Sequence, residues 1–221
     1  MDTTRDVTAT FTQQFRLDLS QTGLGTVALN PLPVVADSAG GLYDIGTVVT
    51  VTATPDSGSV FTSYSGDLTG GTAVQQLKMD ADKSVDALFT RRYLLSLTQL
   101  GSGTVTLSPP PVAGTVNAAF YDAGTVVTVT STPDSGSIFF GYNGDLTGTD
   151  SLQTLTMDTD KNVTSNFNQQ FVLNTAVTGF GAITLNPPGG TYLEGTVVTV
   201  TAVPDSGNRF DAFAGLSLIH I

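Results

Sequence analysis

Six aspartates recur at fixed places in this 221-residue chain: Asp67, Asp80 and Asp82, then Asp145, Asp158 and Asp160. Grouped carboxylates suit two chemistries. Hard cations such as Ca²⁺ take about six to eight oxygen ligands, which carboxylate-bearing loops can supply. Glycoside hydrolysis instead needs two carboxyl groups facing one cleft, about 5–10 Å apart. The spacing here is not that of an EF-hand loop, and Lys83 and Lys161 sit close to the acids. Turn capping and solubilisation are therefore the favoured roles. Ca²⁺ is the one cofactor these residues would admit as a weak candidate, and no other is indicated. Acids spread identically over successive segments describe a scaffold, because an active site need occur only once.

Other residues with chemical potential read in the same way. Gly23-Leu-Gly25, Gly101-Ser-Gly103 and Gly179-Phe-Gly181 have the look of phosphate loops. A dinucleotide loop needs a strand before it and a helix after it. Strand patterns flank all three here, so hairpin turns are expected. Tyr43 and Tyr121 lie beside a variable loop and are the better candidates for a sugar-stacking or protein-contact surface. Tyr64 and Tyr142 lie on alternating strands and are expected in the core. The chain has no Cys, and its single His is the penultimate residue, His220. Thiol catalysis and Cys-based zinc sites are excluded, and a His-dependent triad rests on that one residue.

The elements that must position these groups follow from composition and period. Charged residues make up 12% and hydrophobic residues 40%, with 24 Gly and 10 Pro. That mix is too apolar for disorder and too poor in charge for a typical helical protein. The net charge of −11 repels phosphate backbones and anionic lipid, which argues against nucleic-acid partners and membrane surfaces. No direct membrane insertion is expected.

The chain repeats itself. Gly46–Ser59 reads GTVVTVTATPDSGS, Gly124–Ser137 reads GTVVTVTSTPDSGS and Gly195–Gly207 reads GTVVTVTAVPDSG. Met1, Met79 and Met157 are spaced 78 residues apart, as are Phe15, Tyr93 and Phe171. From Gly124 to Gly195 the step shortens to 71, because Pro187–Tyr192 replaces the longer Pro109–Tyr121 stretch. A deletion confined to one Pro/Gly-rich segment marks that segment as a surface loop.

This register divides the chain. Residues 1–12 match the closing strand of a repeat, 13–90 and 91–168 are two full repeats, and 169–215 is an incomplete third. Met1 then reads as an internal methionine of a longer chain. Residues 216–221, Leu-Ser-Leu-Ile-His-Ile, resemble the translated end of a sequencing adaptor and are expected to be a non-native tail.

Period-2 alternation dominates each repeat. In the second, strands are expected around Tyr93–Thr98, Thr104–Leu107, Thr125–Thr130, Ile138–Tyr142, Gln153–Met157 and Asn162–Phe167. Val163, Ser165 and Phe167 share one face, as do Val85, Ala87 and Phe89, and Val7, Ala9 and Phe11. The Pro-Asp-Ser-Gly segments should make tight hairpins. The fold expected is all-β: tandem small modules of about six short strands, sandwich-like or β-grasp-like, with almost no helix.

The ordered motifs carry a family resemblance. They run aromatic-x-Leu, Gly-x-Gly-x-Val-x-Leu, Gly-Thr-Val-Val, Pro-Asp-x-Gly, Gly-Asp-Leu, then Met-Asp-x-Asp-Lys-x-Val. The pattern resembles the divergent InlB B-repeat family over essentially residues 1–215. One departure is that Tyr64, Tyr142 and Phe213 stand where that family commonly has Trp. The resemblance implies tandem extracellular modules of bacterial surface or secreted proteins. It implies a non-catalytic spacer with an adhesive face, whose partners are neighbouring repeats and a surface glycan or protein. The alternative is a binding module attached to a secreted hydrolase.

Overall fold

A computed structural model describes residues 5–215 of the chain. The expectations for Met1 and for the 216–221 tail with His220 lie outside the described residues. The chain forms two units, Met1–Tyr93 and Leu94–Ile221. No helix occurs among the described residues.

In the first unit the strands are β1 (Gln14–Thr22), β2 (Gly25–Asn30), β3 (Val35–Asp37), β4 (Gly40–Asp44), β5 (Val48–Pro55), β6 (Ser59–Gly66), β7 (Val74–Lys78) and the first part of β8 (Lys83–Leu100), whose remainder belongs to the second unit. They make two sheets. One is mixed, in the order β3-β4-β1-β8-β6; the other is antiparallel, β2-β5-β7. The first and last strands of the module lie side by side and parallel, from Leu17 opposite Lys83 to Thr22 opposite Leu88. All other pairings in the unit are antiparallel.

Alternation explains the two layers. Along β5, rich in β-branched residues that suit a pleated surface, Val49, Val51 and Ala53 point inward while the residues between them are half-buried or exposed. Along β8 the inward set is Val85, Ala87 and Phe89. These meet Leu17, Tyr43, Tyr64, Leu77 and Met79 in one core drawn from both sheets. The sandwich-like form is thus the one observed.

The second unit repeats this plan. Its strands are β9 (Gly103–Ser108), β10 (Ala113–Thr115), β11 (Ala118–Asp122), β12 (Val126–Pro133), β13 (Ser137–Gly144), β14 (Leu152–Thr156) and β15 (Lys161–Val172). Residues 95–100 of β8 pair in parallel with Lys161–Asn166. The mixed sheet runs β10-β11-β8-β15-β13, and the antiparallel one β9-β12-β14. The same unit contains three further strands, β16 (Gly181–Asn186), β17 (Thr191–Leu193) and β18 (Thr199–Pro204). There β16 pairs with β18, and β17 with residues 170–172 of β15.

Two local expectations are corrected. The Gly-x-Gly and Pro-Asp-Ser-Gly turns are not hairpins. Gly23–Gly25 leads from β1 to β2, and Pro55–Gly58 leads from β5 to β6, each time from one sheet to the other. They are the corners of the sandwich, and the corners are tied together. Asp56 N–H donates to the Leu24 carbonyl, and Asp134 N–H to that of Ser102. The second correction concerns strand number. Each complete module has eight strand segments, because the stretch read as a loop at Pro31–Gly41 contains β3 and leads into β4.

The glycines of the first corner are required by packing. Gly23 has φ +89°, and a Cβ there would lie 2.0 Å from the Phe89 carbonyl oxygen. A Cβ on Gly25 would lie 2.5 Å from the Phe89 ring. Gly101 and Gly103 hold the same relation to Phe167. The motif that looked like a phosphate loop is a seat for the phenylalanine of the closing strand.

Among the differences between the two complete cores is one coupled exchange. Ala53 and Ala87 of the first are replaced by Ser131 and Ser165 in the second, both buried. Their hydroxyls bond each other at 2.7 Å. Leaving a buried hydroxyl unpaired costs about 1–3 kcal/mol, whereas replacing both partners by apolar groups is nearly neutral. Ser131→Ala should therefore destabilise the second module by about 1–2 kcal/mol, and Ser131→Ala/Ser165→Ala should recover most of that loss in urea unfolding. Additive losses would overturn this account.

Candidate functional site

The carboxylates are placed by the β7–β8 and β14–β15 connections and by the turns after β6 and β13. Asp67 Oδ2 accepts the Ser84 N–H at 2.8 Å, and Asp145 Oδ2 accepts that of Asn162 at 2.6 Å. Asp82 Oδ1 accepts the Arg16 N–H at 2.8 Å, and Asp160 Oδ1 accepts the Leu94 N–H at 2.8 Å. Asp80 lies 3.2 Å from the Lys83 ammonium, which also reaches Asp67 at 3.5 Å. Asp158 pairs with Lys161 at 2.6 Å. Each of the six is thus engaged with a backbone amide or an ammonium. Among the described residues no three His, Cys, Asp or Glu side chains converge on a point where a metal ion would sit.

These lysines shift the acids they touch. Hydrogen bonding from Lys83, then its charge, holds Asp80 below the usual carboxylate range. The hydrogen bond from Lys161 does the same for Asp158. The ammonium groups are raised in return, chiefly by those same hydrogen bonds. An exposed pair of this kind adds little stability.

Tyr43 and Tyr121 are corrected from contact surface to core. Each is only 1% exposed. They sit on β4 and β11, short strands at the margin of the variable loop, and alternation turns their rings inward. Each hydroxyl remains near the sandwich rim and donates to a loop carbonyl. Tyr43 bonds Pro31 O at 3.1 Å, Tyr121 bonds Pro109 O at 3.0 Å, and Tyr192 bonds Pro187 O at 2.9 Å. The peptide bonds preceding these three prolines are cis. Burial pushes the Tyr43 and Tyr121 phenols up from their ordinary value. These tyrosines anchor the variable loop from beneath.

Tyr64 and Tyr142 lie in the core as expected, each 2% exposed. Tyr64 packs on Phe61 at a ring separation of 4.7 Å, and Phe61 meets Phe89 at 5.7 Å. Phe139, Tyr142 and Phe167 repeat the arrangement.

The sequence reading missed one concave feature. A cleft of about 620 Å³ lies in the third repeat, lined by Leu173, Val177, Phe180, Ile183, Phe210 and Phe213 among others. Its lining presents polar and apolar surface in nearly equal parts, and Arg209 and Asp211 within it pair with each other in the open.

Two tests follow. Tyr43→Phe and Tyr121→Phe remove only the hydroxyl anchor and should each cost about 1 kcal/mol in unfolding; no loss would make that bond dispensable. A carboxylate held low in the fold adds stability above its ordinary pKa of about 4, lost as pH falls through the depressed value. The raised lysines contribute below about 10.4 and lose that contribution at higher pH. Asp80→Asn/Asp158→Asn should therefore melt below the unaltered chain at neutral pH. The two melting curves should converge as pH falls below about 4, and a difference that persists in strong acid would refute the assignment.

Comparison with known proteins agrees with this repeated wiring. The model of the divergent InlB B-repeat domain matches residues 20–92, 93–171 and 172–217. No curated protein and no solved structure matches the chain. That family points to repeat segments of bacterial surface or extracellular proteins. With three consecutive matches spanning nearly its whole length, the chain belongs to the divergent InlB B-repeat family.

Proposed function

We propose that the chain is a non-catalytic spacer segment of a bacterial cell-surface or secreted protein, made of tandem folded modules with an adhesive face on their variable loops. The observation that carries this reading is the identical engagement of polar groups in both complete modules. Asp67 and Asp145, Asp82 and Asp160, and Tyr43 and Tyr121 each brace the same backbone position in their own repeat. Side chains committed to bracing are not available to substrate. Repetition of the same bracing is what a modular scaffold requires, since each repeat must hold its own fold.

The adhesive element is assigned to the loops because they vary while the frame does not. Pro31–Gly41 exposes Leu32, Val34 and Val35, and the corresponding loop of the second module exposes Val112 and Val116. Exposed apolar side chains at loop tips favour contact with protein or with sugar faces over contact with anions. A binding module of a secreted hydrolase is the second reading, and the same loops would carry it.

Single-molecule stretching separates these readings from a catalytic or unfolded segment. A spacer should rupture in discrete events, each releasing on the order of 25 nm of chain for a 78-residue repeat. Glycan and protein arrays should give at most weak, broad binding. Saturable binding to a single ligand, lost when Leu32 and Val112 are changed to Ser, would replace the spacer with the accessory module. Featureless extension would overturn both.

A further inference from the structure

We infer that the outer face of the second module's mixed sheet, around Phe140 on β13, binds chains of neutral sugars. The two complete modules differ in a patterned way along their closing strands. Inward, Val85, Ala87 and Phe89 correspond to Val163, Ser165 and Phe167, alike in size and all buried. Outward, Ser84, Asp86, Leu88 and Thr90 give way to Asn162, Thr164, Asn166 and Asn168. On the adjacent edge strand, Thr62, Ser63 and Ser65 give way to Phe140, Gly141 and Asn143. Packing restrains the inward set, so the outward set is the one free to follow a contact.

Register brings the exchanged residues together. Asn143 lies opposite Thr164 and Gly141 opposite Asn166, with a bulge between Phe139 and Gly141. The first module has the same bulge at Thr62, whose hydroxyl meets that of Thr90 at 2.6 Å on the outer face. Phe140 and Asn168 hold those two positions in the second module, and the Phe140 ring is 56% exposed. Its neighbours Phe139 and Tyr142 instead stack on each other on the core side of the strand. Gly141 puts no side chain between the exposed ring and Asn143. Asn166 Nδ2 donates to the Gly141 carbonyl at 3.1 Å, which fixes that carboxamide beside the ring.

The chemistry of this patch selects its occupant. Although the chain carries a net charge of −11, no charged residue stands among the outward positions of β13 or of Asn162–Asn168. A charged ligand would therefore find no partner here. A neutral hexose has one face of C–H groups, which lies flat on an aromatic ring, and a rim of hydroxyls that both donate and accept. Each Asn carboxamide offers two N–H donors and a carbonyl acceptor, so it can answer neighbouring hydroxyls in either sense. One exposed ring with convergent uncharged polar groups is the pairing such a ligand needs. Outward residues recur about every 7 Å along a strand, so Thr164, Asn166 and Asn168 reach beyond one sugar unit of an extended chain. Asn166 also stands in register between Gly141 and exposed Leu100, breaking up the contiguous apolar patch that a protein partner would use.

This contact lies on the sheet and not on the variable loops; it deepens the adhesive part of the proposed function and does not depend on the spacer part. The isotope-labelled full chain should be titrated with soluble gluco-, manno- and galacto-oligosaccharides, and with polygalacturonate as a charged counterpart. Neutral sugars should give weak, saturable shifts of backbone and Asn side-chain amides confined to residues 140–143 and 164–168. Phe140→Ala should weaken binding about tenfold, and Asn168→Ala about threefold. Phe140 is exposed, so its variant should keep the melting temperature of the unaltered chain. Leu32→Ser/Val112→Ser should bind as the unaltered chain does; loss there, with Phe140→Ala unaffected, would return the contact to the loops and overturn the proposal. It is likewise overturned by an absence of shifts with every neutral sugar, by equal binding of polygalacturonate, or by a protein ligand lost in Phe140→Ala where no sugar binds. The rupture pattern on stretching is the same in each case, so the spacer reading stands or falls separately.

Discussion

Closure of each module by its own last strand is the contact on which the rest of the structure depends. Phe89 and Phe167 are where it is made: each ring lies against a corner glycine on one side and an aromatic pair on the other. Without that ring the corner between the first two strands has no packing partner, and the neighbouring aromatics stay open to water. In the third repeat Gly179 has nothing within 4 Å of its Cβ position, and Phe210 and Phe213 are partly exposed. Dispersion and hydrophobic burial act together here, since both need the same close approach.

Polar groups then lock what packing has brought together. Asp82 and Asp160, just before the closing strands, each accept an amide of their module's opening strand 66 residues away in sequence. A carboxylate accepting a backbone N–H makes a stronger bond than a neutral pair does. The tyrosines on β4 and β11 do comparable work at the rim, where one hydroxyl holds the start of a loop whose sequence is free to vary. The core can therefore stay constant while the exposed loop above it changes, and Ser131 with Ser165 shows that even the core accepts polarity when both partners change together.

The sequence showed the alternating faces plainly: Val85, Ala87 and Phe89 were assigned to one face by period alone, and they lie in the core. The repeat register and the all-β class were readable for the same reason. Tyr43 and Tyr121 were misjudged because their strands are short and hidden behind Pro- and Gly-rich segments, which suppress any periodic signal. The corner turns were misjudged for another reason. Gly and Pro-Asp suit a hairpin and a sheet-to-sheet corner equally, and the difference lies in which strand, some thirty residues away, completes the pairing.

The side-by-side placement of the first and last strands has a consequence in time. Such a fold draws its stabilising contacts from the extremes of its sequence, and topologies of that kind fold slowly. At a synthesis rate of roughly 5–20 residues per second, a 78-residue repeat takes about 4–16 s to emerge. For most of that interval its first strand waits for a neighbour not yet made. A repeat threaded N-terminus first through a narrow passage likewise stays pliable until its final residues are out, and then sets. The strand that completes it, β8, continues without a break into the opening strand of the next, so each completion starts the following wait.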